Sequence, residues 1–335
     1  MTSDPSASRP ARKPSPVLSP RDRAIEALEL RPPSPGLVPS FELEFQLSPE
    51  KFGADFFFNA DLEREPDLAR RRKMLDHNIG LYIRIAETYR WSAVMFSYGA
   101  YGEPDEDEVI RFLERFREKS RGRFLTLIHG GATMSIPDGN NMMELAMQLA
   151  DQPQVLKDKY SRWVRNNLRR AELFSGHGLD GFVECCDYCF NYGPFLSPAM
   201  FSEFVTPFLA DLCRGFRDRG YYIVKHTDGN IMPILDQLVS CRPHALHSID
   251  PMAGVDIAEV KRLVGKEVCL IGNVNCALMQ TGSDDQVRAS AEYALRSAMP
   301  DGGYIFSTSN CVFKGLPLNR YELIMTTRQQ LGHYK

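Results

Sequence analysis

The sequence predicts an α/β protein, a single (β/α)8 TIM barrel preceded by a short N-terminal arm. Two observations carry this prediction. Short β-branched or aromatic runs alternate with longer stretches of helical spacing from residue 38 onward, and polar residues stand at the end of nearly every such run. Alternating strands and helices indicate a parallel sheet. Eight such units favour a closed barrel, with an open doubly wound sheet as the alternative.

The first 37 residues form the arm, and residues 38–335 form the barrel domain. Nine of the 22 prolines lie in the first 39 residues, together with many serines and arginines. Such a composition cannot pack a core, so we expect this arm to be disordered or loosely docked. Residues 21–30 could form one helix within it.

The predicted strands share short apolar runs rich in β-branched and aromatic residues. They are residues 37–47, 92–99, 123–131, 180–186, 221–226, 244–250, 268–274 and 303–310. The predicted helices repeat apolar residues at intervals of three and four, as a helix that covers a sheet requires. The clearest are residues 107–120, 141–152, 155–178, 198–220, 256–265 and 284–298.

The overall composition excludes several classes of protein. The net charge of −3 does not favour nucleic acid or an anionic membrane as the partner, and no apolar run is long enough to span a membrane. The eight cysteines, in a chain this large, are expected to be reduced thiols in a cytoplasmic protein. A homodimer is expected only from the general frequency of symmetric dimers.

Polar residues end most of the predicted strands, and in a barrel all strand ends converge on the face that carries the active site. His226 and Asp228, two residues apart, should point to the same side. With Cys311 they would form an open three-ligand site of the catalytic zinc type. Asp228 could instead cap or orient a neighbour, and Cys311 could be a buried hydrophobic residue.

The run "ECCDYC" at residues 184–189 resembles a metal cluster, but no second Cys-x-x-Cys completes a four-thiolate site. Glu184 or Asp187 could act as a ligand, as a base or in substrate binding. Neighbouring residues of a strand point in opposite directions, so only part of this run can face the pocket.

Other strand-end residues are candidates for substrate binding. His129 could bind an oxyanion or cap the next segment, and Asp250 could accept backbone amides or orient His226. Glu42 and Glu44 should point inward together if the first strand is regular, and would then need a cationic partner. The predicted substrate-binding residues are Glu42, Glu44, Tyr98, His129, Asp250, Asn273 and Asn310.

Four segments, "HTDGN", "SIDPMAGVDIAEVKRLVG", "CLIGNVN" and "GYIFSTSN", resemble the uroporphyrinogen decarboxylase superfamily. The resemblance runs from about residue 38 to the C-terminus and is densest over residues 226–317. It implies a (β/α)8 barrel, in agreement with the strand count.

The superfamily has a decarboxylase branch and a branch of cobalamin-dependent methyltransferases. The decarboxylases resemble one another in two features: the end of the first strand is rich in arginine, and the end of the last strand carries a histidine. Here the corresponding segments read "PSFELEFQL" and "STSNCVF", without arginine or histidine. Two carboxylates at the first strand end would repel a polyacidic substrate, which argues against porphyrinogen decarboxylation.

Members of the methyltransferase branch resemble one another in a His-x-Cys motif at the end of the fifth strand and a Cys at the end of the eighth. These three residues together hold zinc. This chain has His226-x-Asp228 and Cys311, so Asp replaces one Cys, which suits an oxygen or nitrogen substrate better than a thiol. The resemblance implies a demethylase that passes a methyl group from a small O- or N-methylated compound to a Co(I) corrinoid. No Asp-x-His-x-x-Gly motif is present, so the corrinoid would be free or carried by a partner protein.

Two alternatives remain at the level of sequence. One is a decarboxylase-like lyase without metal, acting on an acidic substrate. The other is a barrel that binds a tetrapyrrole or corrinoid without catalysis. The many ionisable residues expected at the barrel mouth make the second alternative the weaker one.

Overall fold

The protein is represented by a computed structural model that describes residues 18–96, 106–131 and 133–335. A parallel sheet of seven strands forms most of a barrel, and the predicted TIM-barrel class is confirmed. In chain order the strands are β1 Gly36–Leu37, β2 Ala93–Phe96, β3 Leu125–Gly130, β4 Gly181–Cys185, β5 Cys189–Phe190, β6 Gly193–Pro194, β7 Tyr222–His226, β8 Ala245–His247, β9 Cys269–Val274, β10 Tyr304–Thr308 and β11 His333–Tyr334.

The helices pack around this sheet. They are α1 Pro20–Leu28, α2 Ser48–Phe52, α3 Asn59–Arg64, α4 Leu68–Thr88, α5 Glu106–Ser120, α6 Met142–Asp151, α7 Pro153–Leu173, α8 Pro198–Phe204, α9 Thr206–Asp218, α10 Leu235–Ser240, α11 Ile257–Val264, α12 Cys276–Thr281, α13 Asp284–Ala298 and α14 Leu318–Leu331. In the described part of the chain, no helix is both long and apolar enough to cross a membrane.

The barrel sheet has the strand order β10-β9-β8-β7-β4-β3-β2, and residues 39–41 close the ring between its two edges. Ser40 forms a parallel bridge with Phe306 of β10, and its carbonyl accepts the amide N–H of Ser92 at 2.8 Å. The predicted first strand, residues 37–47, is therefore wrong as a continuous strand, because only single bridges at Ser40 and Phe45 tie it to the barrel.

The helix predicted within the arm is present as α1, and it packs against the barrel. Its Ala24, Ala27 and Leu28 are buried in the same small core as the lumen-facing residues of the strands. Arg21 pairs with Asp180, just before β4, at 2.6 Å, so α1 covers the amino-terminal ends of the strands. This docking is closer than the sequence predicted for the arm, and residues 1–17 lie outside the described residues.

The predicted helix at residues 198–220 is interrupted at Val205, between α8 and α9. Pro207 lies in the first turn of α9, and a proline in a helix interior removes a backbone N–H and clashes with the preceding turn. Val205 accordingly leaves helical geometry, with φ −122° and ψ −54°. The predicted strand 92–99 is described only to Phe96.

A buried arginine ties the closing segment to the outer helices. The guanidinium of Arg328 in α14 is 1% exposed and donates to the carbonyls of Val38, Tyr89 and Arg90. Arg328→Lys should lower the free energy of unfolding by about 2 kcal/mol, because an ammonium cannot reach all three carbonyls in the same plane. Urea denaturation would measure this loss.

The matched control is Arg169→Lys on the exposed face of α7, which should change stability by less than about 0.5 kcal/mol. An equally small effect at Arg328 would show that its hydrogen bonds do not hold the closing segment.

Candidate functional site

His226 and His247 lie side by side at the carboxyl ends of β7 and β8. The parallel register pairs these two residues, so both side chains point to the same face of the sheet. His226 is only 5% exposed, and its Nδ1 lies 2.8 Å from Nδ1 of His247. Because one of these nitrogens must donate, the contact fixes the ring orientation of His226 and leaves its Nε2 facing the barrel mouth.

Two carboxylates from neighbouring loops face the free nitrogen of His226. Nε2 lies 3.8 Å from Oδ1 of Asp187, after β4, and 3.9 Å from Oδ1 of Asp228, after β7. The Asp228 amide N–H donates to Asp187 Oδ1 at 3.0 Å, which joins the two loops. Asn310 donates its side-chain amide to Asp228 Oδ2, whereas the buried Asp228 Oδ1 has no partner.

Burial controls the protonation of this group. It lowers the pKa of His226 to about 3, with the charge of Lys225 contributing, so the imidazole is neutral at pH 7. Burial also raises the pKa of Asp228 to about 7, and the neighbouring Asp187 carboxylate raises it further. A proton or a cation at Asp228 Oδ1 would relieve this repulsion.

The arrangement fits a divalent cation. One ligand atom each from Asp187, His226 and Asp228 lie within 4.8 Å of one another. A neutral imidazole and carboxylate oxygens are ligands of zinc and of harder divalent metals, and three protein ligands leave a position open for substrate. The unpartnered Asp228 Oδ1 is the atom that such an ion would satisfy.

A hydrogen-bonded chain leads from His226 into the barrel wall. His247 Nε2 lies 3.4 Å from Oγ of Ser307, and Ser307 lies 3.2 Å from Oε2 of Glu42. If His226 Nε2 is a ligand, its Nδ1–H must donate to His247, whose Nε2–H then faces Ser307. Sequence reasoning missed His247 and Ser307, although His247 precedes Asp250 in a predicted strand.

Cys311 is not part of the three-residue group in the described chain, whose third ligand candidate is Asp187. Its side chain is partly buried against the lumen core, and burial raises the pKa of its thiol far above the usual range. The ligand set of His226, Asp228 and Cys311 therefore stays a prediction from the sequence, beside the group of Asp187, His226 and Asp228.

Glu184, a predicted catalytic residue, faces the helices and not the lumen, on the opposite face of the sheet from His226. Along β4, Val183 belongs to the lumen core and Phe182 to the outer core, and side chains alternate between the two faces. Lys225, paired with Glu184 in the register, lies on the same outer face. Its ammonium donates to the carbonyls of Glu184, Cys186 and His226.

The other strand-end residues hold loops in place around the site. Asp250 accepts the amide N–H groups of Gly229 and Met252, which is one of its two predicted roles, and Asn273 donates to the carbonyl of Ile249. His129 is half-buried, and burial lowers its pKa. Tyr98 lies outside the described residues.

Glu42 and Glu44 line one cavity but differ in environment. Glu42 is buried, and its Oε2 accepts the side-chain and backbone donors of Thr308 at 2.6 and 3.1 Å. Burial raises its pKa to about 7. Glu44 is half-buried and accepts the side-chain amide of Gln46.

Comparison with known proteins gives a family and a fold. Residues 182–331 match the model of the uroporphyrinogen decarboxylase (URO-D) family, a region that contains Asp187, His226, Asp228 and Cys311. No curated protein matches by sequence. A methyltransferase from Methanosarcina mazei shares the fold, with a TM-score of 0.71, 16% identity, and coverage of 94% of this chain and 99% of that one.

A D-psicose 3-epimerase from Clostridium cellulolyticum H10 is more distant, with a TM-score of 0.43, 8% identity, and coverage of 75% of this chain and 90% of that one. The family match lies on the half of the barrel that holds the candidate site, and it agrees with the sequence motifs. Residues 182–331 thus resemble the uroporphyrinogen decarboxylase family in sequence.

Proposed function

We propose that this protein is a corrinoid-dependent methyltransferase that removes a methyl group from a small O- or N-methylated compound. The observation that carries the proposal is the group of Asp187, His226 and Asp228 at the barrel mouth, with one buried carboxylate oxygen unpartnered. The likeness to a methyltransferase fold supports it. The corrinoid would be free or would arrive on a partner protein.

The chain's own residues suit activation of a leaving heteroatom. Transfer of a methyl group to Co(I) leaves the bonding electrons on the oxygen or nitrogen of the donor. Asp187, His226 and Asp228 would hold a divalent cation, which when bound supplies a Lewis acid for that atom. Without a metal, the raised pKa of Asp228 lets its Oδ1 carry a proton and give it to the same atom.

The decarboxylase-like alternative predicts a different substrate. Residues 41–47 contain Glu42 and Glu44 and no arginine, so they offer only carboxylates to an acidic ligand. A polyacidic substrate would meet Asp187 at the mouth and would be repelled by Glu42 and Glu44 in the cavity that they line, because like charges at close range repel. Release of carbon dioxide from an acidic substrate, without any need for corrinoid, would establish this alternative.

Methyl transfer is tested with the purified protein, reduced cobalamin or a reduced corrinoid protein, and a panel of methoxy and N-methyl compounds. At least one donor should cause loss of the Co(I) absorbance at a rate proportional to enzyme concentration. His226→Ala should abolish this rate while leaving the circular dichroism spectrum unchanged. If every donor of both classes fails with both corrinoid forms, the proposal is wrong.

The homodimer and the cytoplasmic location stay predictions.

A further inference from the structure

A cavity of about 470 Å³ lies between residues 42–46, β2 and helices α4 and α5. None of the three candidate metal ligands lines it, but Glu42 does. Through Ser307 and His247, Glu42 connects the cavity to His226. Its volume is within the range of pockets that bind small molecules.

Aromatic rings form much of the cavity wall. The rings of Phe56 and Tyr82 lie 4.5 Å apart, and Phe45 meets Trp91 edge to face at 6.0 Å. The indole N–H of Trp91 donates to the hydroxyl of Tyr321 at 3.0 Å, which fixes the ring. Aromatic rings carry negative charge density on their faces, so a wall rich in them can attract a cation.

Acidic groups outnumber basic ones around the same cavity. Glu42, Glu44 and Asp55 line it, against the exposed amine of Lys314. Glu42 is 1% exposed, and its Oε1 has no hydrogen-bond partner, whereas its Oε2 is fully engaged. A buried carboxylate oxygen without a partner is costly unless a ligand satisfies it.

We infer that this cavity binds a small methylated ammonium cation. Ring faces attract a diffuse positive charge, and the free oxygen of Glu42 would meet it from one side. A neutral apolar ligand would leave that oxygen unpaired, and an anion would be repelled by three carboxylates. The identification of this cation as the methyl donor rests on the proposed function. Of the O- and N-methylated donors, it selects the N-methylated compounds.

Methyl transfer from such a donor needs no acid to protonate the leaving group. The carbon–nitrogen bond breaks, the nitrogen keeps both bonding electrons and leaves as a neutral amine, and the two electrons of the new bond to the methyl carbon come from Co(I). A cationic nitrogen is therefore a better leaving group than an ether oxygen. Binding of the cation should not depend on His226.

The test uses the two tryptophans of the chain, Trp91 in the cavity and Trp163, which is partly exposed on α7. In a Trp163→Phe protein, Trp91 is the sole indole. Titration with choline should change its fluorescence saturably, and calorimetry gives the same affinity independently of fluorescence. The neutral isostere 3,3-dimethylbutan-1-ol should bind roughly tenfold more weakly or worse. Equal affinity for the two, or no heat and no fluorescence change with choline, would overturn the inference.

Two variants locate the binding. At pH 8, above the raised pKa of Glu42, Glu42→Gln keeps an oxygen for the Thr308 donors and removes the charge, so choline affinity should fall roughly tenfold while that of the neutral isostere stays the same. Phe56→Leu should also weaken choline binding, whereas Tyr192→Leu, on an exposed ring outside the cavity, should not. Unfolding temperatures near that of the parent protein would show that each variant folds. Unchanged choline affinity in Glu42→Gln would place the cation elsewhere.

The outcomes separate the inference from the proposed function. Choline binding that survives in His226→Ala, together with methyl transfer from an N-methylated cation in the parent protein, supports both. Transfer from methoxy compounds without cation binding would overturn the inference and leave the methyltransferase proposal intact. Cation binding without any methyl transfer would support the cavity as a cation site and reject the methyltransferase.

Discussion

Replacing His226 with alanine should release the divalent cation that we propose for the barrel mouth. The parent protein, purified without a tag, should hold about one zinc or similar metal per chain, and elemental mass spectrometry would measure it. The neutral imidazole is the only nitrogen ligand of the group, and Asp187 and Asp228 alone would repel each other. We expect metal affinity to fall at least about 100-fold.

Two further variants decide which third ligand is used. Asp187→Asn should release the metal as His226→Ala does, because Asp187 Oδ1 lies 3.8 Å from His226 Nε2. Cys311→Ala should retain it. The opposite pattern, with metal lost in Cys311→Ala and kept in Asp187→Asn, would restore the ligand set predicted from the sequence. A metal-free parent protein would leave Asp228 as a proton donor only.

The barrel could be predicted because its periodicity is local. Each strand and each helix is indicated by a pattern among residues that are close in sequence, and alternation of the two is enough to indicate a parallel sheet. His226 and Asp228 could be predicted to lie on one face because they are two residues apart, and side chains alternate between the two faces of an extended segment. The first strand could not be predicted correctly, because its apolar residues pack while its backbone pairs only at Ser40 and Phe45.

The residues of the site could not all be predicted, because they depend on strand register and on contacts between distant segments, which local sequence patterns do not reveal. Whether Glu184 or Cys185 faces the lumen is set by the register of β4 on β7, where Cys185 pairs with His226 and Glu184 with Lys225. A shift of one residue would exchange the two faces. Asp187 enters the site only because its loop is tied to the amide of Asp228, a contact between segments 41 residues apart.

The second large effect concerns stability, and it arises from the outward face of β4. Glu184 is 1% exposed, and neither of its carboxylate oxygens has a hydrogen-bond partner. Burial raises its pKa to about 7 from the usual 4.5, with Lys225 opposing the shift. Between these two values the folded protein binds a proton that the unfolded chain has lost, so stability falls as pH rises through this window.

Glu184→Met should therefore stabilise the protein at pH 8, by up to about 3 kcal/mol, and by little at pH 4.5. The parent protein also carries Glu42 and Asp228 with raised pKa values, so only the difference between variant and parent isolates Glu184. Urea denaturation at a series of pH values would measure it. Glu118→Met, on the exposed side of α5, is the control and should show no such trend.

The result also tests whether Glu184 is the counterion of Lys225. Its ammonium already has three carbonyl acceptors, so loss of Glu184 leaves none of its donors unpaired. If Lys225 instead stabilised the carboxylate as its counterion, Glu184→Met would leave a buried charge alone and destabilise the protein by about 3 kcal/mol at pH 8. The sign of the change at pH 8 thus distinguishes a carboxyl group whose ionisation is opposed by burial from a carboxylate that is stabilised in a buried ion pair.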